Sequence, residues 1–168
     1  SGLVLTRDKT YLLENRLMPV VRAARLRSLT ELIGAINGGD PALQTLVVEA
    51  MMAADTGFFR AWKPFTHFRN VVLPNLRVSR GNKSHFRVLS AGVSTGQEAY
   101  SVAMTVQDAA SAFSGWKVEI VGIDISTSAI AAATKGIYSQ FDVQRGLPIR
   151  SLLKYFSKEE DAWILNEP

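Results

Sequence analysis

The 168-residue sequence contains no cysteine, which excludes disulfides, thiolate metal sites and a cysteine nucleophile. Histidine is almost as scarce. His67 and His85 are fewer than the three protein ligands that a zinc site ordinarily takes. No apolar run approaches the roughly 20 residues that cross a bilayer, so membrane insertion is not expected. The first residues lack the charged-then-apolar layout of a secretory signal. There is no internal repeat and no low-complexity segment. The expectation from these absences is a soluble, cytoplasmic protein.

What is present is an ordinary globular composition, 47% apolar and 20% charged, sufficient for one domain or two small ones. The net charge of +4 is unevenly distributed. Residues 1–81 carry 11 Lys/Arg against 6 Asp/Glu, whereas residues 82–168 carry 8 against 9. A basic N-terminal half suits an acidic partner such as nucleic acid, a membrane surface or an acidic protein segment. It equally suits a merely solvated helical surface.

The two halves differ in grammar. Leu13, Leu17, Val20 and Ala24 form one stripe of an amphipathic helix over roughly Asp8 to Leu26. Ser28-Leu29-Thr30-Glu31 reads as a capping box. A second apolar face follows at Leu29, Leu32, Ile33 and Ile36, ended by Asn37-Gly38-Gly39. Asp40-Pro41 restarts the chain as cap and first helical residue, and Leu43, Leu46, Val47 and Ala50 form a third stripe. Pro64 opens a fourth helix that Pro74 breaks or ends. Residues 77–85, RVSRGNKSH, read as a polar linker. Beyond it, Phe86–Leu89 is a short buried strand, Glu98–Phe113 a helix, Val118–Ile123 a strand and Thr127–Lys135 a helix stopped by Gly136. Pro148–Phe156 is a further helix, and Trp163-Ile164-Leu165 begins a third strand. The expected domains are an all-α domain over 1–76, the linker 77–85 and an α/β domain over 86–168. Strand, glycine turn, helix, strand, helix opens a parallel doubly wound sheet. Two or three such strands leave a sheet face and an edge uncovered, so a piece of a longer protein is expected, with possible association through the open edge.

The glycine turn, LSAGVSTGQEAYS over 89–101, contains Gly92-Val93-Ser94-Thr95-Gly96, which matches the G-x-S-x-G elbow of serine hydrolases. In those enzymes the histidine follows the serine, and here both histidines precede Ser94. A phosphate loop needs Lys followed by Ser or Thr after its last glycine, where this chain has Gln97 and Glu98. The dinucleotide fingerprint fails because its second and third glycines fall on Ser94 and Gln97. Glu98 beside a helix start suits a ligand that offers donors or positive charge. S-adenosylmethionine is such a ligand, with a sulfonium, an amino group and two ribose hydroxyls. Asp124 in VGIDIS ends the second strand, where an acidic residue meets ribose hydroxyls in nucleotide-binding sheets. The alternative is a glycine turn and a helix-capping aspartate in a sheet that binds nothing.

The residues resemble the chemoreceptor glutamate methyltransferases of bacterial chemotaxis, the CheR family. LSAGVSTGQEAYSVAM resembles that family's first cofactor motif and VGIDISTSAIAAATKGIY its second. DTGFFRAWKPF, Asp55 to Phe65, resembles the segment joining its two domains, and DKTYLLENRLMPV the start of its helical N-terminal domain. The resemblance implies a truncated Rossmann-like, S-adenosylmethionine-dependent methyltransferase domain behind an all-helical domain. It implies transfer of a methyl group to receptor glutamates, leaving a methyl ester and S-adenosylhomocysteine. By the same resemblance, Thr56, Arg60, Ala91, Gly92, Glu98 and Asp124 contact the cofactor. Arg60 also takes the catalytic place, either on the methionine carboxylate or steering the incoming glutamate. Ser94 and Thr95 shape the turn and cap the next helix, and Phe58 and Phe59 are hydrophobic anchors. Arg22 and Arg25, on one side of the first helix near Arg16 and Arg27, face the methyl-accepting receptor helices. Ala54, Ala61, Gln97 and Ala99 depart from the family pattern. Later strands, which hold the adenine in the family, are missing.

Two other readings stand beside this one. A non-catalytic CheR-like signalling or docking module is favoured by Ala54, Ala61 and the missing second half. A nucleic-acid methyltransferase is suggested by the basic half. No aromatic-and-basic cluster of the base-stacking kind occurs, so nucleic acid is not the expected partner.

Overall fold

The computed structural model describes residues 10–52, 55–81 and 83–166. The chain folds as two compact units divided between Ala54 and Asp55, not near residue 76. The reason is packing. Leu73, on the helical run expected to close the first domain, is buried with Phe86, Val106 and Phe113 of the sheet unit.

In the first unit, α1 (Thr10–Ala23), α2 (Leu29–Asn37) and α3 (Pro41–Met51) pack around Leu17, Val20, Val21, Leu32, Leu43 and Met51. Asp8, the expected start of the first helix, lies outside the described residues. Ile33 and Leu46, core positions by their spacing, are instead exposed. Ser28 caps α2 by accepting from the Glu31 N–H at 3.2 Å. The Glu31 carboxylate returns to the Arg27 N–H at 2.7 Å, one residue earlier than a standard box. Asp40 caps α3 by accepting from Ala42 and Leu43. Arg25 departs from the expected helical face. α1 ends at Ala23, and Arg25 sits in a turn with φ of +56°. Arg16 is held by the Met51 carbonyl at 2.9 Å.

The second unit opens with α4 (Lys63–His67), a π-helical turn (Phe68–Val72) and α5 (Leu73–Arg80) in one continuous run. The break expected at Pro74 does not occur. The widened turn lets the Leu73 N–H reach the Phe68 carbonyl, as π-bulges do where a regular ladder is interrupted. The run carries residues 77–80, so the expected linker shortens to the few residues before β1.

Strands β1 (His85–Ala91) and β2 (Lys117–Ile123) are parallel, in register from His85↔Lys117 to Ala91↔Ile123. They are joined through α6 (Gln97–Asp108) and a 3-10 turn, Ala110–Phe113. After β2 come α7 (Thr127–Lys135), β3 (Ile137–Ser139), α8 (Gln140–Gln144), α9 (Ile149–Tyr155), β4 (Phe156–Glu159) and β5 (Ala162–Leu165). The last strand does not extend the parallel sheet, contrary to expectation. It is the centre of a separate antiparallel sheet of order β3-β5-β4. The turn at Glu160 and Asp161 folds it straight back on β4, and a tight turn can only join antiparallel neighbours.

The unit is therefore α/β, with one face of its parallel sheet covered and the other bare. Phe86 and Val88 face the core, while the paired Leu89 and Val121, with Ile123 beyond them, are exposed. No described helix is long and apolar enough to cross a membrane.

Candidate cofactor cradle at the glycine turn

The C-terminal ends of β1 and β2 converge on the glycine turn. Its backbone follows from three residues with positive φ in five: Gly92 at +73°, Ser94 at +51° and Gly96 at +97°. Such a path bends sharply enough for the Gly92 and Val93 N–H groups both to meet the Ile123 carbonyl, at 2.8 and 2.9 Å. The Ser94 N–H donates to Asp124 Oδ2 at 2.8 Å. Asp124 Oδ1 accepts from the Ser126 N–H at 2.9 Å, so one carboxylate ties the turn to the start of α7.

The two glycines have opposite surroundings. At Gly96 a Cβ would stand 2.9 Å from Tyr100, 3.0 Å from the Tyr138 hydroxyl and 3.1 Å from Ala133. The space there is full. At Gly92 a Cβ would meet nothing within 4 Å, so the backbone borders open space. Glu98, in the first turn of α6, accepts from the Ser90 hydroxyl at 3.0 Å. Glu98 is thus tied two residues before Gly92 and Asp124 two residues after it.

Ser94 and Thr95, expected to cap the helix, do not. Gly96 is the N-cap of α6 and offers no side chain. The Thr95 hydroxyl donates sideways to Gln97 Oε1 at 2.8 Å. A nucleophilic role for Ser94 also lacks a base. His85 begins β1, about 20 Å of strand away from the turn, and His67 lies in α4.

The segment carrying Thr56 and Arg60 lies in the same unit. Phe58 is fully buried against Tyr138 and Phe156, with ring centroids 4.9 and 5.6 Å away, and Phe59 packs edge-on against Phe65. The Arg60 guanidinium grips the Asp55 carbonyl and its carboxylate, at 2.8 Å for the latter. Arg145 reaches the other Asp55 oxygen at 2.8 Å. The Arg145 hydrogen bond, with the Arg60 charge beside it, holds the Asp55 carboxyl below its ordinary range. Ala54 lies outside the described residues. Thr56 is half-buried, Ala91 is the exposed end of β1, and Arg22 and Arg25 belong to the other unit.

Three supporting residues are not evident from sequence alone. Ser90 holds Glu98. Ser101 bridges α6 and the Phe59 backbone. Tyr138, buried in the Gly-Ile-Tyr stretch, donates to the Thr95 carbonyl at 2.8 Å. Burial, with Tyr100 close by, pushes the Tyr138 phenol well above its ordinary value, so it remains a donor throughout the neutral range. The available signals were a serine on the apolar face of a helix and a tyrosine two residues after a glycine stop.

The donor set fits an S-adenosyl ligand. Glu98 and Asp124 are acceptor-only carboxylates with lone pairs left over after the bonds above, suited to an amino group and ribose hydroxyls. Arg60 is the matching cation for a carboxylate, and Gly92 leaves room for close backbone approach. Among the described residues no cluster of His, Cys, Asp or Glu could hold a metal.

Residues 54–167 match the family described as the CheR methyltransferase, SAM binding domain. The chain is 35% identical over 168 residues to a chemotaxis protein methyltransferase 1 of Pseudomonas aeruginosa, covering 98% of this chain and 61% of that protein. A chemotaxis protein methyltransferase 1 of Vibrio cholerae is 36% identical over 164 residues, covering 96% and 58%. One from Borreliella burgdorferi is 30% identical, covering 95% and 58%. The chain spans about 60% of the length of these curated relatives. The glycine turn and its two tied carboxylates thus lie within the matched span, and the chain belongs to the CheR methyltransferase family.

Proposed function

We propose that the protein containing this chain transfers a methyl group from S-adenosylmethionine to glutamate side chains of chemoreceptors. The observation that carries the reading is that Glu98 is tied to Ser90 and Asp124 to Ser94, two residues before and two residues after the open Gly92 backbone. The bound ligand supplies a methyl group on a sulfonium. Glu98 and Asp124 hold its amino and hydroxyl donors, Ala91 and Gly92 give backbone contact, and Thr56 and Arg60 close the site from the preceding segment. Arg60 exchanges part of its grip on Asp55 for the ligand carboxylate, an easy move for an exposed pair of little net strength.

The accepting glutamate, with a pKa of about 4.3, is already ionised near neutrality and needs no general base. This accounts for a site without histidine. The work of the chain's residues is alignment and exclusion of water around two opposite charges. Arg22, in the last turn of α1, and Arg25, in the turn that follows it, are the proposed contacts for acidic receptor helices. Further strands of a Rossmann-like sheet would extend its open edge and their crossover helices would cover Leu89, Val121 and Ile123; without them the open edge would favour self-association.

The test is a methyl-transfer assay on the protein containing this chain, with receptor-bearing membranes and methyl-labelled S-adenosylmethionine. The expected label is released as methanol by mild alkali, as a carboxyl ester requires. Alkali-resistant label, or label in RNA, overturns the reading. S-adenosylmethionine binding without transfer would point to a docking module.

A further inference from the structure

Ser101 is fully buried and has no part in the chemistry above, yet its hydroxyl makes two directed bonds. It donates to the Gln97 carbonyl at 2.6 Å, within α6. It also accepts from the Phe59 N–H at 2.9 Å, across 42 residues of sequence. The first bond is the common back-bond of a helical serine. The second is not local, and it lands on a special residue. Phe59 has φ of +48° and Ala61 of +52°, a conformation that bulky residues adopt only when their surroundings enforce it. Arg60 lies between them, so its direction depends on how that bend is held.

The bend has other supports, but they differ in kind. Arg145 and Arg60 hold Asp55 through exposed ion pairs, which solvent screens. Gly146 passes so close to the Phe58 carbonyl that a Cβ there would stand 2.2 Å away; this contact fixes a distance without fixing direction. The Ser101 bond is dry and directional. At its far end is the first turn of α6, where Gln97 adjoins Glu98.

We propose that Ser101 is a positioning residue, setting Arg60 against the Glu98 end of the cradle through the Phe59 N–H. The inference rests on the reading that Arg60 and Glu98 hold an S-adenosyl ligand. Calorimetric titration of S-adenosylhomocysteine into the protein containing this chain tests it. The variants are Ser101→Ala, Ser101→Thr, Arg60→Ala and the Ser101→Ala/Arg60→Ala double substitution, each kept well below its unfolding temperature. Loss of one directed hydrogen bond predicts about tenfold weaker binding for Ser101→Ala. Ser101→Thr, which keeps the hydroxyl, is expected within about twofold of wild type. In the Arg60→Ala background the Ser101 effect is expected to shrink below about twofold, because groups that act through one another are not additive.

An undiminished tenfold effect in that background, or unchanged binding in Ser101→Ala, overturns the proposal. Wild-type protein that binds no S-adenosylhomocysteine overturns the cofactor reading and this inference with it. If Ser101→Ala does not fold, Ser101→Cys, similar in volume but a poor acceptor, runs the same cycle.

Discussion

The two ends of the β1–β2 pair are built from different materials. At the end where the strands stop, the chain uses positive φ angles, a filled glycine site and backbone N–H groups aimed at Asp124. At the end where they start, Arg87 and Lys117 flank Glu119 on the surface, with Arg87 Nε at 2.7 Å and Lys117 at 2.9 Å. The Lys117 and Arg87 contacts lower the Glu119 carboxyl to about 2. That shift belongs to a plain surface cluster. Exposed ion pairs move a pKa without shaping anything, whereas a cradle is shaped by backbone conformations that few residues tolerate.

The contrast is sharpest at Gly96. Gly96→Ala adds a Cβ to a full space at φ of +97°, and destabilisation of about 3 kcal/mol is expected from strain and overpacking together. Denaturant unfolding checks it; a loss under about 1 kcal/mol would show that the turn relaxes freely. Asp124→Ala removes the acceptor of two N–H groups. A loss of about 2 kcal/mol is expected, with S-adenosylhomocysteine binding falling below calorimetric detection.

Tyr138→Phe deletes one buried donor to the turn and is expected to cost about 1 kcal/mol, visible as a lower unfolding midpoint. The smallest effect belongs to the other end of the sheet. Glu119 has a depressed folded pKa, so its stabilising contribution is present above its unfolded value, about 4.3. It is lost as pH falls toward about 2. Glu119→Gln should leave the neutral-pH unfolding midpoint within error, most clearly in high salt. A large drop there would erase the distinction between the two ends.

Local grammar was legible where a single residue decides the outcome. α7 runs from Thr127 to Lys135 with Gly136 left-handed at its end, as the composition indicated. The caps at Ser28 and Asp40 lie where short polar residues precede apolar periodicity. Of the candidate cradle, Gly92 and Asp124 stand out as a glycine and a carboxylate just past strand ends and Glu98 as a carboxylate in the first turn of a helix; their cofactor role is the proposal above. Ser101 and Tyr138 do not stand out, since their places on an apolar helix face and after a glycine stop do not say which group more than 40 residues away they bond. Pro74 misled for a related reason: whether a proline breaks a helix depends on whether the preceding turn can widen.

The amino-acid sequence by itself determined the two classes of element, the parallel strand pair and the glycine turn that joins its first strand to α6. These follow from periodicity, capping chemistry and the conformational range of glycine, all properties of a few neighbouring residues. Tertiary structure alone decided that the helical run through Arg80 belongs with the sheet, that β5 turns back into a separate antiparallel sheet, and that Arg60 sits on a bend anchored to α6. Those outcomes depend on which distant groups share a buried space, and burial is a property of the assembled chain.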